Sequence, residues 1–199
     1  MFTAVLEDTF EFVFDVSTLK MTDEKFYEFC QRNKDYRFEL NAEGELIIGQ
    51  HSPLAISEKK SEINYQLTAW SNNDKTGEVF ESGGMFTLPN GAKRAPDAFW
   101  ISKKKYFALS EKEREEGFAL IVPDFVIELR SKTDNLKKLK NKMLEYIENG
   151  VRLGWLIDPT EKKVYIYRAN GEIEILENAG KVSGENVLNG FELDLTEIW

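Results

Sequence analysis

Two short segments carry residues that could do chemistry together. Residues 125–127 are apolar and predict a buried strand, and Glu128 and Arg130 follow directly. Side chains two positions apart in a strand share a face, so we expect Glu128 and Arg130 to point the same way. A carboxylate and a cation on an apolar strand are costly to bury unless they are paired or bound to a metal. They are therefore candidate site residues, and a structural ion pair is the alternative interpretation.

A metal ion would need a second carboxylate close to Glu128. Asp124 lies four residues earlier on the same predicted strand, which at roughly 3.3 Å per residue is about 13 Å away. That is too far to share an ion bound about 2.1 Å from each oxygen. Asp97 lies 31 residues earlier on a different predicted strand, and a neighbouring strand can bring it within about 5 Å of Glu128. The sequence therefore predicts Asp97 with Glu128 as the pair, and not Asp124.

The composition excludes several other kinds of site. The chain has 199 residues, 42% of them hydrophobic, with one histidine and one cysteine. This favours one globular domain and excludes an internal disulfide and a Cys/His zinc cluster. A lone cysteine is typical of a reducing cytoplasm, and we expect no signal peptide and no membrane span. Catalysis through His51 is disfavoured because no nucleophile-elbow motif is present.

The charge distribution leaves the choice of partner open. The net charge of −9 argues against nucleic-acid binding. However, residues 93–105 hold five basic residues against one acidic residue, and residues 124–142 hold six against three. A positive face on an acidic body is one interpretation, and solvated helix faces are the other.

Hydrophobic periodicity predicts an α/β sandwich with a mixed sheet. The central order is helix, strand, strand, strand, helix, strand. Its predicted members are Ile56 to Trp70, Gly77 to Leu88, Lys93 to Ile101, residues 124–130, Thr133 to Glu148 and Leu153 to Ile157. A strand over Phe10 to Asp15, a helix from Thr22 to Arg32 and a Gly-turn hairpin over Tyr36 to Ile48 are predicted before this core. Strands over 163–168, 173–176 and 191–195 are predicted after it. We expect a single domain over 1–199, with a core at about 54–158 and additions at 1–53 and 159–199.

Four stretches in this order resemble a known family. They are RAPDAF at 94–99, PDFVIELRS at 123–131, KMLEY at 142–146 and GVRLGWLIDP at 150–159. Together they are similar to the Uma-type restriction endonuclease family of bacteria, within the PD-(D/E)xK nuclease superfamily. The resemblance runs from about Thr22 to the C-terminus. It implies a restriction-endonuclease-like α-β-β-β-α-β core with a Mg²⁺ site, at which Mn²⁺ could substitute.

The resemblance also implies roles for individual residues. Asp97 and Glu128 would be metal ligands. Glu39 is the first candidate for a third acid, and Glu58 or Glu62 on the first core helix is the alternative. The superfamily places a lysine two residues after the glutamate, and this chain has Arg130 there. A guanidinium can stabilise charge but cannot act as a base. Lys142, at the edge of the apolar stripe of the next helix, is the candidate for the missing ammonium, and a snorkelling lysine is its structural interpretation.

Two functions follow as hypotheses. The first is a Mg²⁺-dependent DNA endonuclease in the cytoplasm, using Asp97, Glu128, Arg130 and Lys142 to hydrolyse phosphodiester bonds by metal-activated water. A homodimer is compatible with cutting both strands. The second is a catalytically inactive module of the same fold that binds DNA or protein. A phosphoesterase for small substrates would instead need a closed pocket.

Overall fold

The computed structural model describes residues 12–49 and 51–199. Its helices are α1 (Asp23–Arg32), α2 (Leu54–Asp74), α3 (Lys103–Tyr106), α4 (Glu111–Glu115) and α5 (Leu136–Glu148). Its first strands are β1 (Phe12–Asp15), β2 (Arg37–Leu40), β3 (Glu45–Gly49), β4 (Gly77–Glu81), β5 (Phe86–Thr87), β6 (Lys93–Arg94) and β7 (Ala98–Ser102). The later strands are β8 (Phe125–Leu129), β9 (Leu153–Asp158), β10 (Lys163–Arg168), β11 (Ile173–Glu177), β12 (Lys181–Ser183) and β13 (Glu192–Asp194).

The central sheet has the strand order β11-β10-β9-β8-β7-β4. β8 and β9 are parallel, while the other neighbours are antiparallel. The parallel pair needs a crossover, and α5 supplies it between these two strands. The predicted mixed sheet and the predicted order α2-β4-β7-β8-α5-β9 are both confirmed.

Each face of the central sheet is covered by apolar side chains. α2 packs on one face with Ile63 and Leu67, together with apolar residues from the C-terminal segment. α5 packs on the other face with Met143 and Tyr146. Because β8 is buried on both faces, its apolar run is continuous instead of alternating, which is typical of a central strand.

A second sheet, with the order β1-β3-β2-β6-β5, stands beside this core. β5 and β6 belong to it, although they lie between β4 and β7 in the chain. Single strands predicted over Gly77 to Leu88 and Lys93 to Ile101 are therefore wrong. The first is broken by the turn at residues 82–84, and the second is interrupted at Pro96, which has no N–H for a ladder hydrogen bond.

Short sequence motifs, such as N-caps and glycine turns, define where several of the other elements begin or end. Thr22 accepts a hydrogen bond from the Lys25 amide at the start of α1, and Gly44 adopts φ +85° in the predicted hairpin turn. α5 begins at Leu136, later than predicted, because Asn135 accepts from two amides as its N-cap. β12 and α3 were not predicted. The polar pattern of residues 102–120 predicts little order except a solvated helical face over 111–116, and α4 lies there.

The strand predicted over Phe10 to Asp15 is present from Phe12. Residues 10 and 11 and the start of the chain, where no signal peptide was expected, lie outside the described residues. Across residues 12–49 and 51–199, no helix has both the length and the apolar character needed to cross a bilayer.

Candidate active site

Asp97 and Glu128 lie opposite each other on neighbouring strands. β7 and β8 pair Ala98 with Ile127, so the next residues outward in the same register are Asp97 and Glu128. Their neighbours two positions along, Phe99 and Val126, belong to the core on the α5 side of the sheet. Glu128 points to the α5 face, as strand alternation predicts, and contacts Lys142 and Tyr146 there. Asp97, beside it, is bound by Lys60 of α2.

Glu128 is held by two side chains of α5. Its Oε1 lies 2.8 Å from the Lys142 Nζ and accepts a hydrogen bond of 2.9 Å from the Tyr146 hydroxyl. Burial raises the pKa of Glu128 to about 7, because its side chain is only 7% exposed. The pKa of about 7 is the net result: the charges of Asp97 and Glu39 act in the same direction as burial, and Lys142 opposes them. Glu128 therefore exchanges a proton near neutral pH.

Lys142 joins two sheets by binding two carboxylates. Its ammonium lies 2.8 Å from Glu128 on β8 and 2.8 Å from Glu39 on β2. Burial lowers the pKa of Lys142, but the charges of Glu128 and Glu39 outweigh burial and raise it above its ordinary value. The side chain reaches inward from the edge of the apolar stripe, as the helical spacing predicted, and it stays charged.

Glu39 is engaged by its own partners on the second sheet. Its carboxylate accepts from the Ala95 amide at 2.9 Å and from Arg94 at 3.1 Å, in addition to Lys142. Burial raises the pKa of Glu39, yet Lys142 and Arg94 lower it overall. Arg94 also donates to Glu145 of α5 at 2.6 Å. Glu39 differs from Glu128 in having this second cation, so it stays ionised.

Lys60 was not predicted and completes the site. Its Nζ lies 2.7 Å from Asp97 Oδ1 and donates to the Ser52 hydroxyl at 3.0 Å. The other oxygen of Asp97 accepts from the Leu129 amide at 2.8 Å. Lys60 lies four residues after Ile56 and three before Ile63, on the apolar stripe of α2. A lysine at such a position is the sequence signal that could have identified it.

Arg130 is not brought to these groups. It points to the α5 face, but its Nη1 lies 2.6 Å from Asp158 Oδ2, and Asp158 is fully buried. β8 has β7 on one side and β9 on the other. Extending the register of the parallel β8–β9 pair by one residue places Arg130 opposite Asp158. Alternation predicted the face correctly, and the sequence did not indicate to which neighbouring strand the guanidinium would turn.

Asp124 lies at the opposite end of β8, as the distance argument predicted. Its carboxylate is 2.9 Å from the Lys105 Nζ and accepts from the Ser102 amide at 2.9 Å. It therefore has a structural role in joining β7, β8 and the segment after β7.

The acids lie at the floor of a pocket of about 750 Å³ between the two sheets. Glu39, Asp97, Glu128, Lys60 and Lys142 all contribute to its lining, and Arg130 does not. Further lining comes from the end of α1, the hairpin of β2 and β3, and the start of α5. The pocket gives a reacting group access to both carboxylates.

Charge and donor chemistry decide how well a divalent cation would fit. Among the described residues, four acidic side chains contact three basic ones at this site. The acids are Asp97, Glu128, Glu39 and Glu145, and the bases are Lys60, Lys142 and Arg94. Carboxylate oxygens are the donors that Mg²⁺ prefers. No three Asp, Glu, His or Cys side chains in the described part of the chain group closely enough to hold a metal. The prediction of Glu39 as a third metal-binding acid is therefore wrong, because Glu39 does not group closely enough with Asp97 and Glu128 and is bound by Arg94 and Lys142 instead. Asp97 and Glu128 thus fit as a two-carboxylate site completed by water or phosphate.

Comparisons with known proteins agree with this fold. A family model described as "Putative restriction endonuclease", Uma2, matches residues 23–196, and this confirms the resemblance expected from about Thr22 onward. The crystal structure of "a putative nuclease" from Anabaena variabilis ATCC 29413 superposes with a TM-score of 0.71 at 22% identity. The match covers 81% of this chain and 88% of that one. No curated protein matches.

Proposed function

The chain belongs to the Uma2 family, and we propose that it is a metal-dependent nuclease that hydrolyses phosphodiester bonds of DNA at the pocket between its sheets. One observation carries the proposal. Two carboxylates, Asp97 and Glu128, lie opposite each other on neighbouring strands, and a charged lysine lies 2.8 Å from one of them at the floor of a pocket. A buried acid with a pKa near neutrality and a charged partner is typical of a catalytic site.

Asp97 and Glu128 would hold Mg²⁺, or Mn²⁺ in its place. When bound, such an ion lowers the pKa of a water molecule and neutralises charge on the phosphate. The protein groups prepare for this by orienting the oxygens. The Leu129 amide fixes one oxygen of Asp97, and the Tyr146 hydroxyl fixes one oxygen of Glu128. The other oxygen of Asp97 is bound by Lys60 at 2.7 Å, so a ligand in the pocket would have to displace Lys60 from it.

Lys142 would contribute the ammonium that the resemblance places two residues after the glutamate. It stays protonated, so its role is to orient the attacking water and to stabilise the charge that develops on the phosphate. Lys60 would do the same from the opposite side once it releases Asp97. Arg130 has no part in this proposal, because its guanidinium is bound to Asp158 outside the pocket lining.

An inactive module is the second candidate, and the ion pairs give it support. Lys60 and Lys142 already neutralise Asp97 and Glu128 at 2.7 and 2.8 Å. A protein that kept these residues only for stability would show the same contacts. Activity therefore has to be measured directly.

The partner would be DNA, in the cytoplasm, where the unpaired Cys30 can stay reduced. A symmetric pair of chains would present two such pockets, one to each strand.

The test is cleavage of plasmid and short linear DNA with Mg²⁺ or Mn²⁺. The wild type should cut in the presence of metal and not in the presence of a chelator. Lys142→Met should reduce the rate by about 100-fold or more, because it removes a preorganised charge from the transition state. Lys137→Met, an exposed lysine on the same helix, should cut like the wild type.

Two results would overturn the proposal. One is a folded wild type that cuts no DNA with either metal. The other is cleavage that survives Lys142→Met and Asp97→Asn unchanged, because the activity would then come from elsewhere or from a contaminant. Thermal melts of each variant verify that lost activity is not lost folding.

A further inference from the structure

The reacting groups are recessed, and this limits which DNA can reach them. The side chains of Glu128, Asp97 and Glu39 are 7%, 12% and 15% exposed. The second sheet and α1 form one wall of the pocket, and the start of α5 with the segment before it forms the other. A scissile phosphate must therefore enter the pocket to be attacked.

A paired duplex cannot easily deliver a phosphate to such a floor. Double-stranded DNA is stiff over about 150 base pairs, so its backbone cannot fold locally into a narrow pocket without unpairing. Enzymes that act on a base act on single strands or take the nucleotide out of the duplex, which costs unstacking energy. A recessed site for a phosphate puts a comparable demand on the strand that enters it. An unpaired strand is flexible enough to place one phosphate inside while its neighbours stay on the rim.

The rim carries the residue types that bind single strands. Lys34, Tyr36 and Arg37 lie at the start of β2, all line the pocket, and all are exposed. Asp35 lies between the first two, and Arg37 donates to the Ser82 hydroxyl at 3.0 Å. Tyr36 is 61% exposed, and its ring centroid lies 6.0 Å from that of Phe38 in a tilted contact. Phe38 in turn lies 4.9 Å from Phe29 of α1. A supported aromatic ring beside cations is a stacking platform for a base next to its phosphates.

The charge of the rest of the molecule points the same way. With a net charge of −9, the protein as a whole repels a polyanion. Attraction is confined to local basic groups, and those on the rim adjoin the pocket. A long duplex would meet the acidic body, whereas a short unpaired segment can contact the rim alone.

We infer that the pocket binds a single-stranded segment of DNA, such as an overhang, with a base stacked on Tyr36 and its phosphates along Lys34 and Arg37. This rests on the proposed nuclease function and specifies its substrate class. The strand would enter over the start of β2 and pass Lys60 and Lys142 inside the pocket.

The experiment measures binding by fluorescence anisotropy with Ca²⁺, using one labelled oligonucleotide in three forms. The forms are the single strand, the blunt duplex, and the duplex with a single-stranded overhang. The single strand and the overhang should bind about tenfold or more tightly than the blunt duplex. Tyr36→Ala should weaken single-strand binding by about tenfold. Tyr65→Ala is the matched control, an equally exposed tyrosine on α2 that should bind like the wild type.

Cleavage of the same three forms with Mn²⁺ separates the two proposals. If the protein cuts DNA but binds and cuts the blunt duplex as well as the single strand, the substrate inference is overturned and the nuclease proposal stands. If Tyr36→Ala and Tyr65→Ala behave alike, the stacking platform is refuted. If no form is bound or cut, both proposals fail.

Discussion

Metal binding at this site should depend on pH in a way that an ordinary acid pair would not show. A divalent cation needs Glu128 as a carboxylate, so it competes with the proton on that group. Burial raises the pKa of Glu128 to about 7, whereas the ordinary value is 4.5. The competition therefore falls in the range from pH 6 to pH 8, where most other carboxylates are already ionised.

The size of the effect follows from the ionised fraction. With a pKa of about 7, Glu128 is about one-eleventh ionised at pH 6 and about ten-elevenths ionised at pH 8. Affinity should therefore fall by about tenfold from pH 8 to pH 6, equivalent to about 1.4 kcal/mol. A glutamate with a pKa of 4.5 would be almost fully ionised at both values and would change affinity by only a few per cent.

Calorimetric titration with Mn²⁺ at pH 6, 7 and 8 measures this directly. Repeating the titration at pH 7 in two buffers of different ionisation enthalpy counts the protons released, and about half a proton per ion is expected. Asp134→Asn, which changes another acid of the pocket lining, should leave the pH dependence intact. Affinity that does not change between pH 6 and pH 8, with no proton release, would refute the argument.

Three further outcomes are expected. Arg130→Ala should lower the free energy of unfolding by about 3–5 kcal/mol, because it leaves Asp158 buried without its cationic partner. Arg130→Lys keeps that positive charge and should cleave DNA within about threefold of the wild-type rate. Lost cleavage with unchanged stability in Arg130→Lys would instead give Arg130 a chemical role. Because the pKa of Glu128 is raised in the folded state, the wild type should lose stability as pH rises from about 4.5 to 7, by about 3 kcal/mol at most. Glu128→Gln lacks this titration, so it should become more stable relative to the wild type over the same window. Chemical denaturation at pH 5 and pH 8 checks this, and a stability difference that stays constant would contradict it. Lys60→Met should tighten Mn²⁺ binding by about three- to tenfold, because it removes the ammonium that lies 2.7 Å from Asp97 and competes with the ion. Weaker binding in the calorimeter would show that Lys60 instead holds Asp97 in place for the ion.

The core could be predicted because its elements are encoded locally. The apolar stripe of α2, the doubly buried run of β8 and the N-cap at Thr22 are each encoded within a few residues, whereas the N-cap at Asn135 was missed. The second sheet could not be predicted in the same way. Its strands β5 and β6 have two residues each. β5 pairs with β6, and β6 pairs with β2, far away in the chain. A two-residue strand has no periodicity, so only tertiary pairing defines it.

The site shows the same division between local and distant information. Asp97 and Glu128 could be paired because strand geometry rules out Asp124 and permits a neighbouring strand. Lys142 could be placed near them because helical spacing puts it at the edge of the buried stripe. The partners of Lys60 and Arg130 depended on which strand or helix lies on each side of β8, and no local pattern carries that information.

The central claim is that Asp97 and Glu128 form one ion site. The most direct measurement is Mn²⁺ binding at pH 8 by the wild type, Asp97→Asn and Glu128→Gln, with Asp124→Asn as a control at the far end of β8. Each titration is repeated with the overhang DNA, since phosphate can complete the site. We predict binding by the wild type and the control, and affinity weaker by about tenfold or more in both other variants. Binding that survives Asp97→Asn and Glu128→Gln, or a wild type that binds no ion even with DNA, would contradict the account.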